Sequence, residues 1–289
     1  MALFRSLMFV PGNQPRRLEK VPSLMSDAII YDLEDSVPLE EKETARKMVS
    51  EALAKHTDKT SFVRVNAMST VYFFEDVSAV ISKSLQGIVL PKTERRDQIV
   101  IAEYLLTQLE RKHGLKPGCL EIVPLMETAL GIANALEVAG SCHRVKRLAF
   151  GAVDFTLDIQ AEFTEESMET FTARSQLVIA SRAAGIEPPI DTVYTNVKQP
   201  AGLEASTKQA KQMGFQGKLV IHPDQIDIVH SVFSPSPKEI EAAQKIVQAF
   251  EEATRSGMAA IQVDGKMIDY PVVERARRIL EYASKTGNL

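Results

Sequence analysis

The chain has 289 residues, 45% of them hydrophobic, enough to bury a large core as one big α/β domain or two small ones. Its net charge of −4 and pI near 5.8 lack the basic footprint of a nucleic-acid binder, yet leave room for local cations that hold an anionic ligand. Two cysteines, Cys119 and Cys142, are too few for a disulfide framework or a thiolate metal cage, and read as reduced thiols of a cytoplasmic protein. No apolar run approaches the ~18 residues needed to cross a membrane. The opening MALFRSLMFVPGNQ reads as a first strand, without the regions of a signal peptide.

Eight short apolar runs follow in chain order: SLMFVPG from Ser6, AIIYDLE from Ala28, SFVRVNA from Ser61, GIVLPKT from Gly87, LEIVPLME from Leu120, VKRLAFGAVD from Val145, PPIDTVYT from Pro188 and KLVIHPD from Lys218. Near-continuous apolar strands alternating with helices indicate a parallel sheet buried on both faces. Eight such units predict a TIM (β/α)8 barrel rather than an open doubly wound sheet. Among the intervening segments, 38–54 places Leu39, Ala45, Met48, Val49 and Ala52 on one face behind an acidic start, and 165–184 ends at Gly185 as a C-cap. The residues after the eighth strand read as a helix from Pro237 to about Ser256, an extended piece AAIQVDGKMID with an Asp264-Gly265 hairpin signal, and a helix from Pro271. The expected organisation is a barrel over 1–235 and a helix–hairpin–helix extension over 236–289.

A TIM barrel carries its chemistry at the C-terminal ends of its strands. There the runs end in Asn13, in Asp32, Glu34 and Asp35, in Arg64 and Asn66, in Lys92, in Glu127, in Asp154 and in His222. Glu127 and Asp154 close neighbouring strands, so their carboxylates could share a Mg²⁺ whose shell is filled by water and substrate oxygens; helix capping is the plainer reading of each. Arg64, between valines, needs an anionic partner, either a structural one such as Glu34 or a substrate. Alternation in YDLED puts Asp32 and Glu34 on one side of the chain and makes Glu34 a candidate catalytic residue, although a solvated loop would read the same. Arg16, Arg17 and Lys20 could meet phosphates or simply form a solvated helix face. His222 neighbours the site. P-loop, dinucleotide, zinc-hydrolase and serine-hydrolase signatures are all missing.

The stretches RSLMFVPGN, DAIIYDLEDSV, FVRVN, GIVLPKTE, PLMETALGIANA, LAFGAVDF, ARSQLVIASRAAGI, KLVIHPDQI and DGKMID resemble, in order and over nearly the whole chain, the citrate lyase β-subunit-like group of the HpcH/HpaI aldolase superfamily, which includes malyl-CoA and citramalyl-CoA lyases. The resemblance implies a TIM barrel, Mg²⁺ dependence, a CoA-thioester substrate and a homotrimer. It makes Glu127 and Asp154 the metal ligands and Arg64 a contact to the substrate oxyanion. Asp269, in MID, becomes an acid/base residue supplied by a neighbouring subunit. With a CoA thioester implied, Arg16, Lys20 and His222 become its candidate contacts. The expected activity is cleavage of a short hydroxyacyl-CoA to acetyl-CoA and a 2-oxo acid. Its rivals are a citrate lyase β subunit acting on a carrier-bound citryl thioester, an aldolase of free hydroxy-oxo acids, and a non-catalytic acyl-CoA-binding barrel.

Overall fold

The computed structural model describes residues 4–255, 260–263 and 265–285. The eight apolar runs become strands β1 (Ser6–Pro11), β2 (Ala28–Asp32), β3 (Ser61–Arg64), β4 (Leu85–Leu90), β5 (Glu121–Met126), β6 (Ala149–Phe150), β7 (Ile190–Asp191) and β8 (Gly217–Val220). They close in sequence order into a parallel barrel, the expected (β/α)8 architecture. Alternate residues such as Leu7, Ile30, Phe62, Val89, Val123 and Leu219 fill its interior. The residues between them, such as Ile29, Val63 and Ile122, are equally buried, which is why the strands read as continuous apolar runs. Phe4 and Phe62 meet edge to face at 5.8 Å, and the Arg147 guanidinium lies 4.3 Å over the Phe4 ring.

The connections hold α1 (Pro15–Glu19), α2 (Lys42–Lys55), α3 (Phe73–Val80), α4 (Arg96–Lys112), α5 (Ala129–Ala133), α6 (Ala135–Ala139), α7 (Ala152–Asp158), α8 (Phe171–Ala183) and α9 (Pro200–Met213), and α10 (Gln225–Phe233) follows β8. Gly185 has the left-handed φ of +71° expected after α8. The segment from Pro38 differs from expectation. Its first turn, Leu39–Glu41, is 3₁₀, α2 starts at Lys42, and Leu39 is 65% exposed rather than on the buried face with Ala45, Val49 and Ala52.

The chain divides into two units, Phe4–Val229 and a tail from His230, so the break falls inside α10 and ahead of the expected one after 235. In the tail, α11 (Pro237–Arg255) is followed by antiparallel β9 (Ile261–Val263) and β10 (Lys266–Ile268), then by α12 (Tyr270–Lys285). Phe250, Ile268 and Val273 form its core, with Ile246, Val247 and Ile261 against them. The hairpin residue Asp264 lies outside the described residues; Gly265 has φ +77°. Among the described residues no helix is long and apolar enough to cross a membrane.

Candidate active site

Register alone lines up the polar strand ends, with Pro11 opposite Asp32 and Asp32 opposite Arg64. Arg64 lies with its guanidinium 4.9 Å from the centre of the Phe9 ring. Its Nε and Nη2 each donate to one oxygen of Asp32 at 2.7 Å, and Nη1 donates to Asp35 at 3.3 Å. Nη1 also stands 3.0 Å from Glu34 Oε2, off the hydrogen-bond direction, so that buried oxygen has an ion pair but no hydrogen bond. Arg64 has structural carboxylate partners, foremost Asp32, and any substrate contact must use the two of its five N–H bonds that these three hydrogen bonds leave. Burial raises the Asp32 carboxyl, but Arg64 outweighs it and holds that carboxyl below the usual range.

The loop after β2 is fixed from beneath. Buried Lys42 donates to the carbonyls of Leu33 and Glu34, both at 2.7 Å, and Asn66 Nδ2 donates to Leu33 O at 2.9 Å and to Asp76 at 2.6 Å. Lys42 and Asp76 escaped the sequence reading because a lysine after two glutamates looks like a solvated helix start. Glu34, 5% exposed, is thereby fixed between Arg64 and Lys92, whose Nζ donates to it at 3.1 Å. Burial pushes the Glu34 carboxyl up despite both cations.

Lys92 adopts a left-handed φ of +50°, which costs a non-glycine residue on the order of 1 kcal/mol. The conformation aims its backbone N–H at Glu127 Oε1, 2.8 Å away. Glu127, 2% exposed, follows β5 immediately before Thr128, the residue that caps α5 by accepting from Gly131 N. Asp154 sits in the first turn of α7, whose N-cap is Gly151. Neither acid is therefore the capping residue of its helix. A Cβ at Gly151 would lie 2.5 Å from Glu127 Oε2, so only glycine lets α7 begin against that carboxylate. Burial, then the charges of Asp154 and Glu34, push the Glu127 carboxyl up to about 8.

Two acids near enough for the Asp154 charge to raise the Glu127 carboxyl, both offering hard oxygen donors, suit Mg²⁺. Among the described residues no group of three His, Cys, Asp or Glu side chains encloses a metal position. A cation here would be held by Glu127 and Asp154 and complete its shell with water and ligand oxygens.

The other expected residues are distributed differently. His222 and Lys20 line one cavity of about 280 Å³ with Phe9 and Leu24, but the α1 cation beside them is Arg17; Arg16 is exposed and takes no part. Asp269 belongs to the tail. It is half-buried and caps α12, its Oδ1 accepting from Val272 N at 3.3 Å.

The arrangement has known relatives. Residues 5–223 match the HpcH/HpaI aldolase/citrate lyase family model. The chain belongs to that family. Residues 161–287 also match the model of carbon–carbon bond lyases of the TIM-barrel fold. The chain is 36% identical to the citrate lyase subunit beta of Escherichia coli over 285 residues, covering 98% of this chain and 94% of that protein. It is equally 36% identical to the (3S)-malyl-CoA thioesterase of Cereibacter sphaeroides over 282 residues, covering 97% and 94%. The crystal structure of the CitE protein of Mycobacterium tuberculosis, solved with magnesium, acetoacetate and coenzyme A, superposes with a TM-score of 0.81 at 25% identity, over 98% of this chain and 99% of that one. A citrate lyase structure from Burkholderia xenovorans shares the fold with a TM-score of 0.87 at 19% identity, covering all of this chain and 94% of its own.

Proposed function

We propose that this protein is a Mg²⁺-dependent carbon–carbon lyase that cleaves a short hydroxyacyl-CoA, of citramalyl-CoA or malyl-CoA type, to acetyl-CoA and pyruvate or glyoxylate. The observation that carries the reading is the Glu127–Asp154 pair, two carboxylates that repel one another, one with its carboxyl pushed up to about 8, at the same barrel mouth as Arg64. Magnesium, bound by relatives such as the CitE protein, would supply a Lewis acid for the hydroxyl and carboxylate oxygens of the substrate.

The chain's own residues do the rest. Glu34, with its raised carboxyl, takes the hydroxyl proton. Electrons from the breaking carbon–carbon bond pass to the thioester side as an enolate. The two N–H bonds of Arg64 that its three hydrogen bonds leave, on a guanidinium fixed by Asp32, meet that developing negative charge. The cavity with Arg17, Lys20 and His222 receives the anionic CoA portion, and the free thiols Cys119 and Cys142 suit a cytoplasmic enzyme.

A second reading, a citrate lyase β subunit acting on a carrier-bound citryl thioester, is favoured by 36% identity over nearly the whole chain. A panel decides between them: malyl-, methylmalyl-, citramalyl- and citryl-CoA and a carrier-bound citryl thioester, each with Mg²⁺ and again with chelator. Cleavage of citramalyl-CoA and malyl-CoA within about 10–200-fold of one another is expected, because one methyl group discriminates weakly. Cleavage of the carrier-bound thioester alone would select the second reading.

Protonation of the enolate carbon falls to Asp269 of a neighbouring subunit in a homotrimer. Val153 and Leu157, one turn apart on α7 and both exposed, support burial of this face against another copy. Asp269→Ala and Glu127→Ala are each expected to be inactive alone. Co-assembled at equal ratio, they restore about a quarter of the sites, those combining an intact barrel with an intact tail. No recovery in verified mixed oligomers would show that Asp269 acts within its own subunit or only caps α12.

A further inference from the structure

A second buried charge cluster lies on residues other than those of the Arg64 centre. Arg174 of α8 donates through Nε and Nη2 to the two oxygens of Asp191, both at 3.0 Å, and through Nη1 to Gln209 Oε1 at 2.9 Å. Lys218 of β8 donates to the same Asp191 carboxylate at 2.7 Å and to Ser206 Oγ at 3.2 Å. All three charged residues are 2% exposed or less. Two cations against one carboxylate leave an excess positive charge out of water, an arrangement that is costly without a further anion. Lys218 registers the imbalance: burial pushes its ammonium down, Asp191 opposes this, and Arg174 reinforces it.

A cavity of about 90 Å³ opens on this cluster, between the loop that follows α7 and the loop that follows β7, with Arg174, Ser206, Thr170 and Thr192 in its wall. Thr170 already donates its hydroxyl proton to Ser167 O at 2.9 Å, whereas the other two hydroxyls are acceptors. Thr192 Oγ1 accepts from Ala152 N at 3.0 Å, and Ser206 Oγ accepts from Lys218. Each keeps one proton to donate, and among the described residues neither proton is taken. Arg174 likewise keeps two N–H bonds beyond the three it has engaged. Unused donors on Arg174, Ser206 and Thr192, beside excess positive charge, are the complement of an oxyanion. Glu165, exposed beside the cavity, is the opposing acid among its lining residues.

The geometry points to a binding site in this cavity for one small oxyanion, a carboxylate or phosphate group, held by Arg174, Ser206 and Thr192. The volume admits such a group but not a whole acyl-CoA. Through Thr192 the site is tied to Ala152, two residues before Asp154. The anion has two possible sources, a free small anion or the distal anionic group of a substrate.

Thermal unfolding of the whole protein in metal-free buffer, titrated with inorganic phosphate, tests the site without needing any enzymatic activity. At a hundredfold excess over Kd, Tm is expected to rise by about 5 °C. Ser206→Asp, which tethers a carboxylate at the cluster, is expected to raise Tm in phosphate-free buffer and to abolish the response. Ser206→Ala, a smaller change, should keep the fold and weaken phosphate about 10-fold. Lys20→Ala, in the other cavity, should respond as the wild type does. A phosphate response that survives unchanged in both Ser206 variants, or no response in the wild type, overturns the site. With a cleavable thioester from the panel above, phosphate that raises KM at constant kcat assigns the site to part of the substrate, whereas an unchanged KM assigns it to a free anion. If no thioester is cleaved, the unfolding result still stands by itself.

Discussion

Glu127→Gln is expected to abolish turnover, by roughly 10³-fold or more, while leaving the barrel folded, because a bound cation contributes several kcal/mol of charge stabilisation to such a reaction. The amide can still accept from the Lys92 backbone N–H. It cannot offer the charge that a divalent cation needs. Asp154→Ala should give the same loss. The two substitutions also have a signature independent of catalysis. In the metal-free protein the Glu127 carboxyl titrates near 8, against an ordinary value of 4.5, because of burial first and the Asp154 and Glu34 charges second. Between those values the unfolded chain has released a proton that the folded chain retains. Stability must therefore fall as pH rises from about 4.5 to about 8, and level off above. Mg²⁺ has to displace that proton, so its affinity should rise over the same interval, with proton uptake by the buffer below pH 8. Calorimetric titration of wild type and Glu127→Gln at pH 6 and 8 reads both effects. Equal Mg²⁺ binding by the two proteins would remove Glu127 from the metal site.

The second large effect belongs to Arg64. Arg64→Ala strips Asp32, 2% exposed, of its bidentate partner and leaves Glu34 with Lys92 alone, so a stability loss of about 3–5 kcal/mol is expected. Arg64→Lys keeps the charge but not the planar fork that engages both Asp32 oxygens. It should lose less stability and still lower kcat by about 10²–10³-fold. Measuring turnover well below the unfolding midpoint of the lysine variant separates the two consequences. Unchanged turnover there would make the guanidinium a purely structural tie of the loop after β2.

The barrel was legible because every strand buried on both faces leaves an apolar run, and the polar residues that interrupt those runs mark the mouth. Boundaries were less so. The run VKRLAFGAVD promised a long strand, but pairing at its start is an isolated bridge between Val145 and Ile122, and Arg147 turns its guanidinium over Phe4. Only Ala149 and Phe150 remain as β6. The helix expected from Pro38 carried a sound start signal, yet its first turn wound as 3₁₀ and threw Leu39 outward. Within the site, the types of residue were readable and their partners were not. FVRVN says that Arg64 needs an anion, but only the β2–β3 register, with Asp32 opposite Arg64, decides that Asp32 outranks Glu34. The left-handed Lys92 leaves no trace in composition, since nothing in LPKT distinguishes it from an ordinary strand end. The exchange of Arg17 for Arg16 has the same origin, because a five-residue helix carries too little periodicity to fix which cation faces the cavity.

The strands of the barrel are unequal, and the inequality bears on how it breathes. β1 and β2 share five registered residue pairs, whereas β6 and β7 are two residues each and meet through Ala149 and Ile190 alone. Local opening is drawn from the least paired elements of a fold. The wall should therefore part between β6 and β7 before it parts anywhere near β1 and β2, and amide exchange at 149–150 and 190–191 should outpace that at 28–32; uniform protection around the ring would refute this. The seam that opens first bears Asp154 on one side and Thr192 on the other. Whatever ligand bridges those two loops would also be the clasp that keeps the cylinder shut.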